Sequence, residues 1–420
     1  MIARSLVLAG IAIAAVISSA TAQARRDTTV KIAGAPVHSG VGTLLEELSI
    51  GVTEGADEYT FGEVADIALA SDGGLFVLDR KVPIIRQYDA SGKFVRNVGR
   101  FGSGPGEYRS VSGLAMMKDG RLLLWDTGNW RVNVYSPAGQ PIGQWLTPSG
   151  SANSTATVAR GILVDTAGNV WCRGSVVKRT ANGIERRNIY LRVDAGGIRD
   201  TVELPPMPEV GEPLTAVSPA GNASSSATVP FTPQPITTLR VFGDFVTGYP
   251  NRYAFEVVAA GKPVTSVRRP NIAPQPVTSA ERSAERTRIE TMLRRTNPSW
   301  SWNGPEIPGT KPHYAGITTG LDGRIWVAVV AEARRAGSIN TPGGAGIGGG
   351  NAPRPQPTPE VKRDEHPALY DVFEPDGSYV GQVRVPVRVS TVLRRGDQVW
   401  AIAYDDDDVS TVKRYRIRWP

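Results

Sequence analysis

The sequence predicts an all-β fold, a six-bladed β-propeller, from a repeated hairpin, a constant turn chemistry and a strand missing at one end that reappears at the other. The hairpin is clearest in Ile67-Ala-Leu-Ala-Ser-Asp-Gly-Gly-Leu-Phe-Val-Leu-Asp79, which returns 47 residues later as Leu114-Ala-Met-Met-Lys-Asp-Gly-Arg-Leu-Leu-Leu-Trp-Asp126. Each copy reads as strand, tight Asp-Gly turn, strand. Further copies turn at Ala167-Gly168, Gly243-Asp244, Asp322-Gly323 and Arg395-Gly396. Four short antiparallel strands per unit, six times over, make blades. The last unit lacks its fourth strand. Leu44 to Val52, followed by a stretch ending at Tyr59, parallels Phe94 to Val98, followed by one ending at Tyr108. The N-terminal strand is therefore expected to complete the C-terminal blade and remove the sheet edge left by an open ring.

Taken in order, residues 1–22 read as a signal peptide: Arg4 is the positive end, Leu6 to Ile17 the apolar stretch, and Ala20-Thr21-Ala22 the cleavage site. Export, to the periplasm or outside the cell, follows as an expectation. Residues 23–43 are expected to be a flexible N-terminal segment. No later stretch approaches the ~20 apolar residues of a membrane helix, so an integral membrane protein is not expected. The single cysteine, Cys172, excludes an internal disulfide. A net charge of +7 is scattered along the chain without a basic stripe, which argues against nucleic acid. A monomer is expected.

The propeller spans 44–420. Bulky residues four positions after the turns, Phe76, Leu123, Trp171, Trp326 and Trp400, are expected to wedge between blades. Connections between first and second strands, and between third and fourth, are short. The long insertions, 205–235, 270–312 and 331–367, all fall in the other set of connections and so on one face, the expected working surface. The middle one holds a capping box, Thr278-Ser-Ala-Glu281, and a partial apolar stripe from Ala280 to Leu293, which predict a lid helix stopped by Asn297-Pro298. Its arginines (Arg282, Arg286, Arg294, Arg295) and the nearby Trp300 and Trp302 suit an anionic, sugar-like or peptide ligand, but a solvated helix face with two packing tryptophans is the preferred reading of them.

Other candidates are Trp130, bulky and apolar at a loop tip, with Arg131 beside it, and the pair His313-Tyr314 at a channel mouth. Asp79, Asp126, Asn129 and Arg131 read as corner residues that bond within their loops, with Arg131 kept also as a ligand candidate beside Trp130. Asp126-Thr-Gly-Asn-Trp-Arg-Val-Asn-Val-Tyr135, with the Gly104-Pro-Gly-Glu-Tyr108 loop, resembles the NHL-repeat six-bladed propellers of exported bacterial proteins. That resemblance implies the fold. The family it points to mixes interaction scaffolds with metal-dependent lyases and lactonase relatives.

No cofactor is expected. The alternative is a divalent cation such as calcium, held by Asp405 and Asp407 of the Asp405-Asp-Asp-Asp408 run, or by Asp66 and Glu63 in the channel with His313. The first lacks the spaced pattern of a calcium loop. At the level of Asp66 the other inner strands present Gly113, Gly161 and Gly316, so one blade alone offers a carboxylate there. The sequence thus reads as an exported, non-enzymatic propeller that binds a protein or small ligand on the face carrying the insertions; the alternative is a lactonase-like metal-dependent hydrolase or lyase.

Overall fold

A computed structural model describes residues 28–147, 162–180, 183–330 and 368–420. The signal segment, the insertion at 331–367 and the first residues of 23–43 lie outside the described residues. Six blades are present, and their innermost strands are Val64–Leu69, Val111–Met116, Ile162–Val164, Ile236–Leu239, Tyr314–Thr319 and Val389–Arg395. Each is followed outward by antiparallel neighbours in chain order. In blade 6 the outermost strand is Val41–Ile50, which pairs antiparallel with Ser410–Arg418 from Thr43↔Arg418 to Ile50↔Val412. The ring is closed by the N-terminal strand, as the missing strand requires.

The core consists of separate clusters, one at each contact between neighbouring blades. Phe76 joins Tyr108 and Leu114 between blades 1 and 2, and Leu123 joins Ile162 and Cys172 between blades 2 and 3. Trp171 meets Leu239 and Phe245 between blades 3 and 4. Trp326 meets Val399 and Ala401 between blades 5 and 6, and Trp400 meets Ile67 and Val77 across the closure. Blade 4 uses Val246 against Ile317 and Ile325. The wedge positions thus supply the apolar area that holds the ring, at roughly 1.5–3 kcal/mol for each fully buried large side chain.

Part of the N-terminal segment expected to be flexible is paired with the blades. Thr28–Ile32 adds as a fifth strand, parallel to Val264–Arg268 on the outside of blade 4. The chain then crosses blade 5, where the amides of Val37 and His38 donate to Tyr379 and Val380. His38 stacks on Trp419 at 4.3 Å before Val41–Thr43 pairs parallel with Gln382–Arg384. Lys31 fixes the start of this strap through Asp376 (2.9 Å) and Ser378 (2.9 Å). The physical reason is the open edge of an outer strand, whose unpaired amides and carbonyls accept any extended segment with a free edge of its own. A run of only five strand-forming residues gives no local sign of that distant partner.

Candidate functional site

The two faces differ as the loop lengths require. On one, the hairpin turns are tight, and neighbouring blades are tied by short bonds such as Leu321 N–H to Arg394 O (2.7 Å) and Arg240 to Pro375 O (2.8 Å). On the other, insertions 205–235 and 270–312 fold together into one cap.

The cap is a helix, α1 (Ser279–Arg294), packed on a hairpin of Leu214–Val217 and Ser224–Ala227. Thr278 starts α1 through a complete capping box, in which its hydroxyl accepts from Glu281 N–H and the Glu281 carboxylate accepts from Thr278 N–H. Ile289 and Leu293 face Leu214, Ala216, Val229, Phe231 and Trp300 in a core separate from the blades. The cap stands on a two-stranded stem, where Val277 N–H reaches Gly309 O (2.9 Å) and Lys311 N–H reaches Gln275 O (2.7 Å). Buried Lys311 bonds Glu281 at 2.5 Å, tying the helix start to the stem.

This packing consumes several residues that the sequence offered as ligand contacts. Trp300 is 5% exposed in the cap core and its indole N–H donates to Thr215 O (2.9 Å). Arg286 pairs with Glu306 (2.7 Å), Arg294 with Glu290 (3.0 Å), and Arg282 donates to the carbonyls of Ile307 and Pro308. Arg295 is exposed. Trp302 is partly buried beneath Arg286, whose guanidinium lies 4.7 Å from the ring centre, and remains accessible on the cap surface.

At the stem foot, His313 is half-buried, with its backbone bonded to Pro250 O (2.9 Å) and its Nδ1 without a hydrogen-bond partner among the described residues. Burial pushes its imidazole below the ordinary value, so the ring is neutral near pH 7. Tyr314 is a core residue. Its hydroxyl donates to Ala254 O (2.7 Å) and its ring meets Tyr253 edge-on, so it presents nothing to a ligand.

The channel carboxylates do not converge. The Asp66 carboxylate is occupied by backbone, accepting from Ile67 N–H (2.9 Å) and from Leu114 N–H of the neighbouring inner strand (2.9 Å). It joins blades 1 and 2. Glu63 pairs with Arg80 (3.1 Å) at an exposed corner. Asp405 shapes its own turn by accepting from Asp407 N–H and Val409 N–H, while Asp407 is exposed. Among the described residues no group of three or more His, Cys, Asp or Glu side chains is arranged to hold a metal.

The blade corners follow the local logic of the repeat. Asp79 accepts from Gly62, Glu63, Lys81 and Val82, and Asp126 accepts from Arg109, Ser110 and Asn129. Arg131 is buried, bonded to Gln144 (2.9 Å) and to the carbonyls of Gly104 and Glu107 (2.8 Å each), so it is a structural residue. The Gly104 amide and the Arg100 guanidinium hold the Glu107 carboxyl below its usual range. Trp130 is different. It sits at φ 54°, a conformation uncommon for a large side chain, and is exposed. Ile142 and Leu146 are exposed on the outer strand of the same blade, and Phe101 is exposed in the connection that leads into that blade. The signal of Ile142 and Leu146 in the sequence is an outer strand, Pro141-Ile-Gly-Gln-Trp-Leu146, without a single charge.

A family model described as a 6-bladed beta-propeller matches residues 52–146. No curated protein matches the sequence. Among solved structures, a member of the DUF4221 family from Bacteroides vulgatus is similar at 10% identity, with 90% of this chain and 98% of that chain covered and a TM-score of 0.51. A Bacteroides fragilis chain described as an exported protein is 11% identical over 93% of this chain and 99% of that one, with a TM-score of 0.45. A calcium-binding regucalcin from Agrobacterium tumefaciens is 11% identical, with 91% and 98% covered and a TM-score of 0.37. The family model and the observed strand order agree: the chain is a six-bladed β-propeller.

Proposed function

We propose that the chain is an exported, non-enzymatic interaction protein of the periplasm or extracellular space, a monomer whose elaborated face takes a protein or a small anionic or sugar-like ligand. The observation that carries this reading is the cap. Two insertions far apart in sequence fold into one body with its own core, on one face only, opposite a face of tight turns. Rigid scaffolds present binding elements in this way. Trp130, Trp302 and His313 are the accessible candidate contacts, because Trp300, Tyr314 and Arg131 are spent on packing and internal hydrogen bonds. The corner built by Asp126, Asn129 and Arg131 also supports the NHL-type likeness, a family that holds interaction scaffolds as well as metal-dependent lyases and lactonase relatives.

The competing reading, a metal-dependent hydrolase or lyase, needs Asp66, Glu63 and His313 to act together. Asp66 binds two amides, Glu63 binds Arg80 and His313 stands at the foot of the cap. Elemental analysis of the purified protein separates the two readings. The proposal expects less than about 0.1 equivalent of any divalent ion by the mass-action behaviour of weak sites. A stoichiometric ion that disappears in Asp66→Ala would overturn it.

A further inference from the structure

The outer edges of the blades are not treated alike. The chain covers the edge of blade 4 with Thr28–Ile32 and that of blade 5 with Val41–Thr43, and blade 6 ends in Val41–Ile50. Blades 1, 2 and 3 have no further strand among the described residues. An open edge invites pairing with another chain unless charge or a bend guards it. Blade 1 guards its outer strand, Phe94–Val98, with Arg96, which reaches across to the carbonyl of Ala138. Blade 3 guards Gly197–Glu203 with Arg199, bound to Asp194, and Asp200, bound to Arg192. Among the described residues blade 2 has no such guard. Its outer strand, Pro141–Leu146, is uncharged, and proline protects only its first position.

The same edge is apolar on its surface. Ile142 is 55% exposed and Leu146 72% exposed, while Trp145 between them and blade 3 is buried. A groove of about 400 Å³ runs beside the strand, lined by Pro105, Gly106, Pro141, Ile142, Gly143 and Gln144. At the C-terminal end the edge opens onto the elaborated face beside Trp130, whose carbonyl accepts from Thr147 N–H (3.0 Å). Phe101, 57% exposed, adjoins it through the Asn129 side chain, which donates to Gly102 O (2.9 Å). Arg109 stands at the same corner, where a Cβ on Gly128 would lie 2.8 Å from that of Arg109. It is exposed, and its guanidinium has no acidic partner among the described residues.

We infer that the outer edge of blade 2 is a docking site for an extended segment of a protein partner, which adds as a fifth strand to Pro141–Leu146. Apolar side chains at alternate positions of that segment rest on Ile142, Leu146 and the Trp130–Phe101 corner, and an acidic end faces Arg109. The chain already uses this mode on itself, since the strap adds to blades 4 and 5 through parallel strand pairing. Backbone pairing supplies affinity and the alternate side chains supply selection. The inference rests on the proposed interaction role and narrows it to one edge and one kind of partner.

The test uses the full mature chain and an acetylated octapeptide that alternates valine and threonine and ends in two aspartates, with a lysine-ended twin as control. The expected result is slowed amide exchange over residues 142–146 with the acidic peptide, and at least a tenfold weaker binding of the twin. The double variant Ile142→Lys/Leu146→Lys, at surface positions, should keep its melting temperature and lose at least tenfold in affinity. Absence of protection at 142–146, or equal affinity in the double variant, would overturn the inference. Protection confined to the cap would overturn it while leaving the interaction role of the elaborated face standing; protection on the tight-turn face would sink both. Binding of phosphatidylglycerol vesicles through Ile142 and Leu146, without any peptide binding, would assign the edge to a lipid surface and also overturn it.

Discussion

Trp130 and Asp126 sit four residues apart in one loop and do opposite work. Asp126 is fully buried and satisfies three backbone amides and the Asn129 side chain, so its loss leaves several donors unpaired, at about 1–3 kcal/mol each. Trp130 is 40% exposed in a left-handed conformation that costs roughly 1–2 kcal/mol for a residue other than glycine. Strain retained beside an exposed aromatic points to use rather than packing. Trp130→Gly is therefore expected to hold or slightly raise the melting temperature while weakening partner binding. A drop of several degrees in a thermal melt would instead mark the indole as a packing group. The corner aspartates were legible in the sequence because their partners lie within a fixed local offset. Arg131 was readable as a corner residue and Trp300 as a packing one; the role of Tyr314 was not, since it depends on what folds over it from elsewhere in the chain.

At the scale of elements, the cap was half legible. The capping box and the stop at Asn297-Pro298 marked α1 correctly, because helix ends are written in local hydrogen-bond chemistry. Its partner hairpin lies in a Pro- and Ser-rich insertion with weak alternation, so the pairing of the two insertions left no periodic trace. The separate core makes the cap a unit of its own stability. Trp300→Ala removes a large buried side chain, a change that costs about 3–5 kcal/mol. It is expected to speed amide exchange in α1 and the hairpin while the blades keep their protection. Equal loss of protection in the blades would show that cap and ring melt as one body. The strap was illegible for a related reason: five residues, Thr28–Ile32, pair with a strand more than two hundred positions away.

For the whole molecule, repetition made the ring readable, since each blade need only be recognised from its own turn and wedge. Closure followed from counting strands, and the division into a plain and an elaborated face followed from loop lengths. What repetition does not encode is where a partner binds: the proposed function rests on the departures from the repeat, which are the cap, the outer edge of blade 2 and the strained corner at Trp130. The central claim is that partners meet the elaborated face. Photo-crosslinking residues placed in cells at Trp130 and Trp302, and in parallel at Lys118 and Lys262 in the tight turns, test it most directly. A partner on the elaborated face gives a discrete adduct from the first pair and none from the second; adducts from the tight-turn positions, with none from Trp130 or Trp302, would rule that placement out.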